Sequence, residues 1–130
     1  MIPRKIYVLA LLISIGISLR AQPYLLQPAD LTVDADGIIT DCSYDFANTD
    51  IEIPAEVDGV PVTGIANVSV FSSTLIFYSQ GITSVVFPPG LEAIGDNAFK
   101  ANDLTSVTLP AGLKSIGASA FGGNDFAFTE

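Results

Sequence analysis

Apolar residues in the second half of the chain return with a fixed period. Residues 82–103 read Ile-Thr-Ser-Val-Val-Phe-Pro-Pro-Gly-Leu-Glu-Ala-Ile-Gly-Asp-Asn-Ala-Phe-Lys-Ala-Asn-Asp, and residues 104–125 read Leu-Thr-Ser-Val-Thr-Leu-Pro-Ala-Gly-Leu-Lys-Ser-Ile-Gly-Ala-Ser-Ala-Phe-Gly-Gly-Asn-Asp. The offset is 22 throughout. It pairs Ile82 with Leu104, Val85 with Val107, Phe87 with Leu109, Leu91 with Leu113, Ile94 with Ile116 and Phe99 with Phe121. A gapless repeat of this length is the signature of stacked structural units. Within a unit, Val107 and Leu109 alternate with Thr108, and two of these three are β-branched, so this stretch predicts a strand. Pro110 lacks the N–H of a ladder and ends it. Leu113, Ile116 and Ala120-Phe121 follow at gaps of three, four and one, which predicts an irregular or short helical return arm. Gly117 limits any helix there to a turn or two. Asn124-Asp125 closes the unit and leads to the next strand.

A looser copy lies upstream. Ile51-Glu-Ile-Pro54 matches Val85-Val-Phe-Pro88, Val62 and Ile65 match Leu91 and Ile94, and Phe71 matches Phe99 after one extra residue. Asp58-Gly59 predicts a tight turn. The stretch 72–81 then reads as an insert, in which Leu75 to Tyr78 either pack as an apolar flap or stand proud. Ile38-Ile39-Thr40 and Ile51-Glu52-Ile53 are short strand candidates. The predicted organisation is a signal peptide over 1–21, a leader and N-terminal cap over 22–50, and a repeat domain over 51–130. That domain divides into a degenerate repeat at 51–81, tight repeats at 82–103 and 104–125, and a partial repeat at 126–130. The expected fold is an α/β solenoid: parallel strands stacked in one ladder, irregular or short-helical return arms, an N-terminal cap and no C-terminal cap.

The first residues change where such a stack would work. Arg4 and Lys5 precede an apolar run of 14 residues, Ile6 to Leu19, which Arg20-Ala21-Gln22 breaks. This is the three-part layout of an export signal. The run is short of the ~20 residues of a membrane span. Cleavage after Ala21 leaves no stable span; retention as an N-terminal anchor is the alternative. The expected location is therefore secreted or at the cell surface.

Composition narrows the partners. The 130 residues carry 5 Lys plus Arg against 14 Asp plus Glu, a net charge of −9. Phosphate recognition needs clustered Lys and Arg, so nucleic acid is not an expected partner. There is no His, which removes the commonest metal ligand and general base. The single cysteine, Cys42, cannot form an internal disulfide or thiolate cluster and is read as a small buried hydrophobe. Asp34-Ala-Asp36-Gly37 is read as an acidic turn; a calcium loop is the weaker alternative, because a further ligand position before Gly37 and a correctly spaced Glu are missing. Asn67-Val-Ser69 is a glycosylation sequon, relevant only to a eukaryotic source. No catalytic residue, cofactor site or metal site is expected, and the chain is not expected to be an enzyme.

Three pieces carry a family resemblance: Leu104-Thr-Ser-Val-Thr-Leu-Pro, Gly112-Leu-Lys-Ser-Ile-Gly and Ala120-Phe121, each with its counterpart 22 residues earlier. With Ile53-Pro54 and Asp58-Gly59-Val-Pro-Val-Thr-Gly-Ile65 upstream, the chain resembles the BspA-like leucine-rich repeat family of secreted and surface proteins over about residues 38–125. The resemblance implies a surface for binding or adhesion and supplies no catalytic residues. The outward side of the strands, Ser84, Val86, Ser106 and Thr108, is the candidate contact surface, with Glu52 further up. An extracellular protein is the expected partner. Self-association through an uncapped C-terminal edge near Leu109 and Phe121 is a second expectation. The other functional reading is a structural fragment of a longer repeat protein with no independent function.

Overall fold

A computed structural model describes residues 22–127. The predicted signal segment, 1–21, lies outside the described residues, as do 128–130. The described chain forms ten short strands. They are β1 (Tyr24–Leu25), β2 (Leu31–Val33), β3 (Ile38–Cys42), β4 (Asp50–Glu52), β5 (Glu56–Val57), β6 (Val60–Pro61), β7 (Gly64–Ile65), β8 (Ser84–Val86), β9 (Ala93–Ile94) and β10 (Ser115–Ile116). One 3₁₀ turn, Pro28–Asp30, separates β1 from β2.

The chain winds in coils that feed two sheets, the first coil giving β1 to one and β2 and β3 to the other, and the next two coils giving one strand to each. The first sheet has the order β1-β4-β8, all parallel, with Ile51 opposite Tyr24 on one side and Val85 on the other. The second has the order β10-β9-β7-β3-β2, parallel from β10 to β3 and closed by β2 running antiparallel to β3. The upstream copy read from the sequence sits in this register, for Ile51 pairs with Val85 and Ile65 with Ile94. Ile51, Ile53 and Val85 point inward from one sheet, and Ile39, Ile65 and Ile94 from the other. Together with Leu26, Val62, Ile82, Leu91 and Leu104 they form one buried core. β5 and β6 make a small hairpin whose turn is Asp58-Gly59, both at positive φ (49° and 83°), the geometry that favours this pair of residues.

The helical return arm is not found. Among the described residues there is no α-helix, and the arm expected to be irregular or helical carries β7, β9 and β10, a second parallel sheet. The α/β class is therefore corrected to all-β. The reason is spacing. An α-helix is about 10 Å across, whereas neighbouring strands lie about 4.8 Å apart. Gly95 and Gly117 show how close the coils come: a Cβ on Gly95 would stand 2.5 Å from the Ala66 carbonyl carbon, and one on Gly117 2.3 Å from the Asp96 nitrogen. No helix fits between turns at that distance.

Four further expectations change. The strand expected at Val107–Leu109 does not form a ladder with β8; the first arm of the last coil is tied instead through Leu104, which accepts from Asp125 N (2.9 Å) and whose own N–H donates to Asn124 Oδ1 (3.0 Å). That strand would be bonded on one edge only, and Pro110 denies it a donor at its end. Leu109, expected in the core column below Phe87, is exposed. Phe71, aligned above with Phe99, is 96% exposed, and Phe77 occupies its place: Phe77, Phe99 and Phe121 stack 22 residues apart, with ring centroids 5.0 and 5.7 Å apart. The extra residues thus precede the column, between Ile65 and Phe77, and the apolar stretch Ile76-Phe77 is packed within the core. Cys42, expected to be buried, is half-buried.

Candidate functional site

The β-ladder of the first sheet sets out a regular outer face. Alternation turns Ile51 and Val85 inward and their neighbours outward. Leu25, Glu52 and Val86 stand in register as one cross-strand row, and Asp50 stands opposite Ser84 in the next. Leu25 is 38% and Val86 46% exposed, so the row presents two apolar side chains flanking a carboxylate. Ser84 Oγ donates to Asp50 Oδ1, which holds that carboxylate against the sheet. Above it Thr49 and Thr83 pair through their hydroxyls at 3.0 Å.

Of the four residues singled out in the sequence, Ser84 and Val86 therefore lie on β8 beside Asp50 and Glu52. Ser106 and Thr108 are exposed on the last coil, in a segment outside the ladder. Leu25 and Asp50 were missed. Leu25 belongs to no recognisable repeat, so only the pairing of Tyr24–Leu25 with Ile51–Glu52 reveals it. The signal for Asp50 was its place two residues before the aligned Glu52, in the manner of Ser84 before Val86.

Two internal ladders run from coil to coil. One is aromatic. Tyr24, Tyr44, Phe46, Phe77, Phe99, Phe121 and Phe126 touch in succession through stacked or edge-to-face contacts. The other is made by side-chain amides. Asn102, 3% exposed, accepts from the backbone of Gln80 (2.9 Å) and Ile82 (3.0 Å) and donates to the carbonyls of Phe77 (2.7 Å) and Phe99 (2.9 Å). Asn124, one repeat on, accepts from Leu104 N (3.0 Å) and donates to Phe99 O and Phe121 O, both at 2.9 Å. Each asparagine thus satisfies backbone groups where one coil crosses to the next, groups that neither sheet pairs. The sequence marked these residues only as unit closers; their recurrence at an interval of 22 beside Phe99 and Phe121 was the available signal.

Residues 69–127 match a BspA type leucine-rich repeat region. The matching family model is described as a region of six copies. No curated protein and no solved structure gave a match to the chain. The match begins at Ser69 and takes in the Phe77–Phe99–Phe121 column and both asparagines of the repeat region.

Elsewhere, chemistry is sparse. The Asp34-Ala-Asp36-Gly37 segment is held as a turn: Asp34 Oδ1 accepts from Asp36 N (2.9 Å) and Ile38 N (3.0 Å), so its carboxylate serves the β2–β3 connection. Among the described residues no group of three or more His, Cys, Asp or Glu is placed to hold a metal. Burial pushes the Cys42 thiol up to about 11, with Asp30 and Asp41 adding to the rise and a backbone hydrogen bond from Tyr44 opposing it. No helix among the described residues is long and apolar enough to cross a membrane.

Proposed function

We propose that the chain is an extracellular protein-binding module, secreted or held at the cell surface, whose contact surface is the outward face of β1, β4 and β8. It acts by binding, as in adhesion, and not by catalysis. The observation that carries the reading is the row Leu25–Glu52–Val86, two solvent-facing apolar side chains around a carboxylate, fixed by backbone ladders and by the aromatic and asparagine columns behind them. Preorganised apolar anchors lose little entropy on association. The export-type leader and the repeat family support the location.

The chemistry of the face selects the partner. Asp50 and Glu52 favour a surface rich in Lys and Arg, and attraction between such surfaces weakens with salt. Surface plasmon resonance of the exported chain over immobilised extracellular-matrix and cell-envelope proteins tests this. Saturable binding is expected, at least tenfold weaker in Val86→Arg and in Glu52→Arg, and weaker in 0.5 M salt than in 0.05 M. Absence of saturable binding across the panel, or binding indifferent to both variants, refutes the assignment.

A further inference from the structure

Ile65 to Phe77 spans 12 positions where Ile94 to Phe99 spans five, so seven extra residues enter the loose coil. They form a loop between two anchors. On one side Val68 is buried, donates to Asp96 O (2.8 Å) and accepts from Asn97 Nδ2 (2.9 Å). On the other, Ile76 and Phe77 are buried in the core. Among the described residues, the hydrogen bonds of 69–74 stay inside the loop. Ser72 N donates to Ser69 O (2.9 Å), Phe71 N to Ser69 Oγ (3.3 Å) and Thr74 N to Ser72 Oγ (3.0 Å). The tip can therefore open without breaking a hydrogen bond to either sheet. Local openings of this kind lie at the low end of a protein's range of stabilities.

The tip holds out Phe71, which is 96% exposed. An endopeptidase needs a side chain it can read and a segment that straightens into its cleft, and exposed loop tips supply both. For an enzyme that reads an aromatic or leucine side chain before the cut bond, three exposed positions compete: Leu25, Phe71 and Leu109. Two of them fail. Leu25 lies in β1, paired with β4, and the N–H of the bond after it, that of Leu26, donates to Glu52 O at 2.9 Å. Leu109 precedes Pro110, whose ring and missing N–H obstruct that bond. The other aromatic rings among the described residues pack within the core or against it. Phe71 alone is both readable and free to straighten.

We propose that the Phe71–Ser72 bond is a processing site for an extracellular endopeptidase of chymotrypsin-like specificity, and that the cut molecule stays together as two chains. Hydrolysis adds one water across the amide and leaves a carboxylate on Phe71 and an ammonium group on Ser72. Both sheets bridge the cut, for β4 before it pairs with β8 after it, and β7 with β9. The core bridges it as well: Phe46 meets Phe77 edge to face, and Ile51 and Ile65 share one cluster with Ile82 and Leu91. The β1–β4–β8 face, drawn from both fragments, is kept. The site rests on the exported location proposed above and not on what that face binds.

The test is limited digestion of the exported product of the full chain with chymotrypsin under native conditions, read by intact mass and size exclusion; it reports on the loop wherever the protein resides. A single early cut is expected, giving fragments that end at Phe71 and begin at Ser72 and that elute together at the size of the uncut protein. Phe71→Asp removes the side chain that is read, and Ser72→Pro keeps it but blocks the bond. Each should slow the cut at least tenfold with circular dichroism unchanged. Ile51→Val lowers global stability at a buried position far from the loop in sequence, and should leave the rate of cutting unchanged, because cutting follows local opening. A first cut elsewhere, a chain that resists digestion, or fragments that separate overturns the proposal. So does a rate that rises in Ile51→Val in step with the lost stability, which would place the cut in the globally unfolded chain.

Discussion

Replacing Asn102 by Ala removes four hydrogen bonds at once and strands three of their partners, the N–H groups of Gln80 and Ile82 and the carbonyl of Phe77, while the Phe99 carbonyl keeps its bond from Asn124 Nδ2. Each bond contributes about 1 kcal/mol net, and each buried group left without a partner costs about 1–3 kcal/mol unless water reaches it. With some relaxation the expected loss is about 3–5 kcal/mol, a third or more of the 5–15 kcal/mol that holds a typical domain together. Asn124→Ala serves as the internal control. It makes the same kind of bonds, but it is half-buried in the last coil, where water can replace them, so about 1–2 kcal/mol is expected. Urea unfolding followed by circular dichroism measures both, with the midpoint falling and the slope m unchanged. Asn102→Asp sharpens the test. The carboxylate keeps the two acceptor bonds but faces the carbonyls of Phe77 and Phe99. Its folded-state pKa is therefore raised above the unfolded value, and the variant loses stability as pH rises from the unfolded carboxylate value near 4 up through the raised folded value. If Asn102→Ala costs under 1 kcal/mol, or no more than Asn124→Ala, the asparagine ladder is not what joins the coils.

The remaining predictions concern packing, backbone and thiol. Phe99→Ala should cost about 3–5 kcal/mol and half-buried Phe121→Ala clearly less in the same assay, because Phe99 is fully buried and sandwiched between Phe77 and Phe121; equal losses would contradict this. Ala101 is exposed at φ 59°, while Gly123 occupies the equivalent place in the next repeat at φ 64°. Ala101→Gly should thus relieve left-handed strain and raise stability by up to about 1 kcal/mol, read as a higher melting temperature. Gly95→Ala would drive a Cβ into the Ala66–Asn67 peptide and should cost about 1–3 kcal/mol. Cys42 should react slowly with iodoacetamide in the folded protein and faster in urea at pH 8. With its folded value raised from 9.0 to about 11, the folded state should also lose stability as pH climbs from about 9 to about 11.

Repetition made the core legible in advance. The pairing of Ile51 with Val85 and of Ile65 with Ile94 follows from matching short motifs, because stacked coils place equivalent residues in contact. The second sheet was hidden by its brevity. Two-residue strands such as Ala93–Ile94 are too short to show alternation, and the gaps around Ile116 imitate one side of a helix. The glycine after each of these isoleucines in the tight repeats, Gly95 and Gly117, carried the missing information, since it records a backbone contact that no larger residue permits. Phe71 misled for another reason: aligned with one extra residue it takes the column position, but Phe77 lies at the true interval of 22 from Phe99. On the outer face, Ser84 and Val86 could be read from the strand pattern, whereas Leu25 depends on a long-range pairing that leaves no local trace.

Using strands in both arms of the coil has a geometric consequence. Where one side of a stack is built from helices and the other from strands, the wider side must fan out and the column bends into an arc. Here both sides advance by the same strand spacing, so successive turns add height without accumulating a bend. On that geometry the outer face of β1, β4 and β8 is expected to gain no hollow from the stacking itself. A flat or extended partner laid across the strands is the shape it can meet along its whole length.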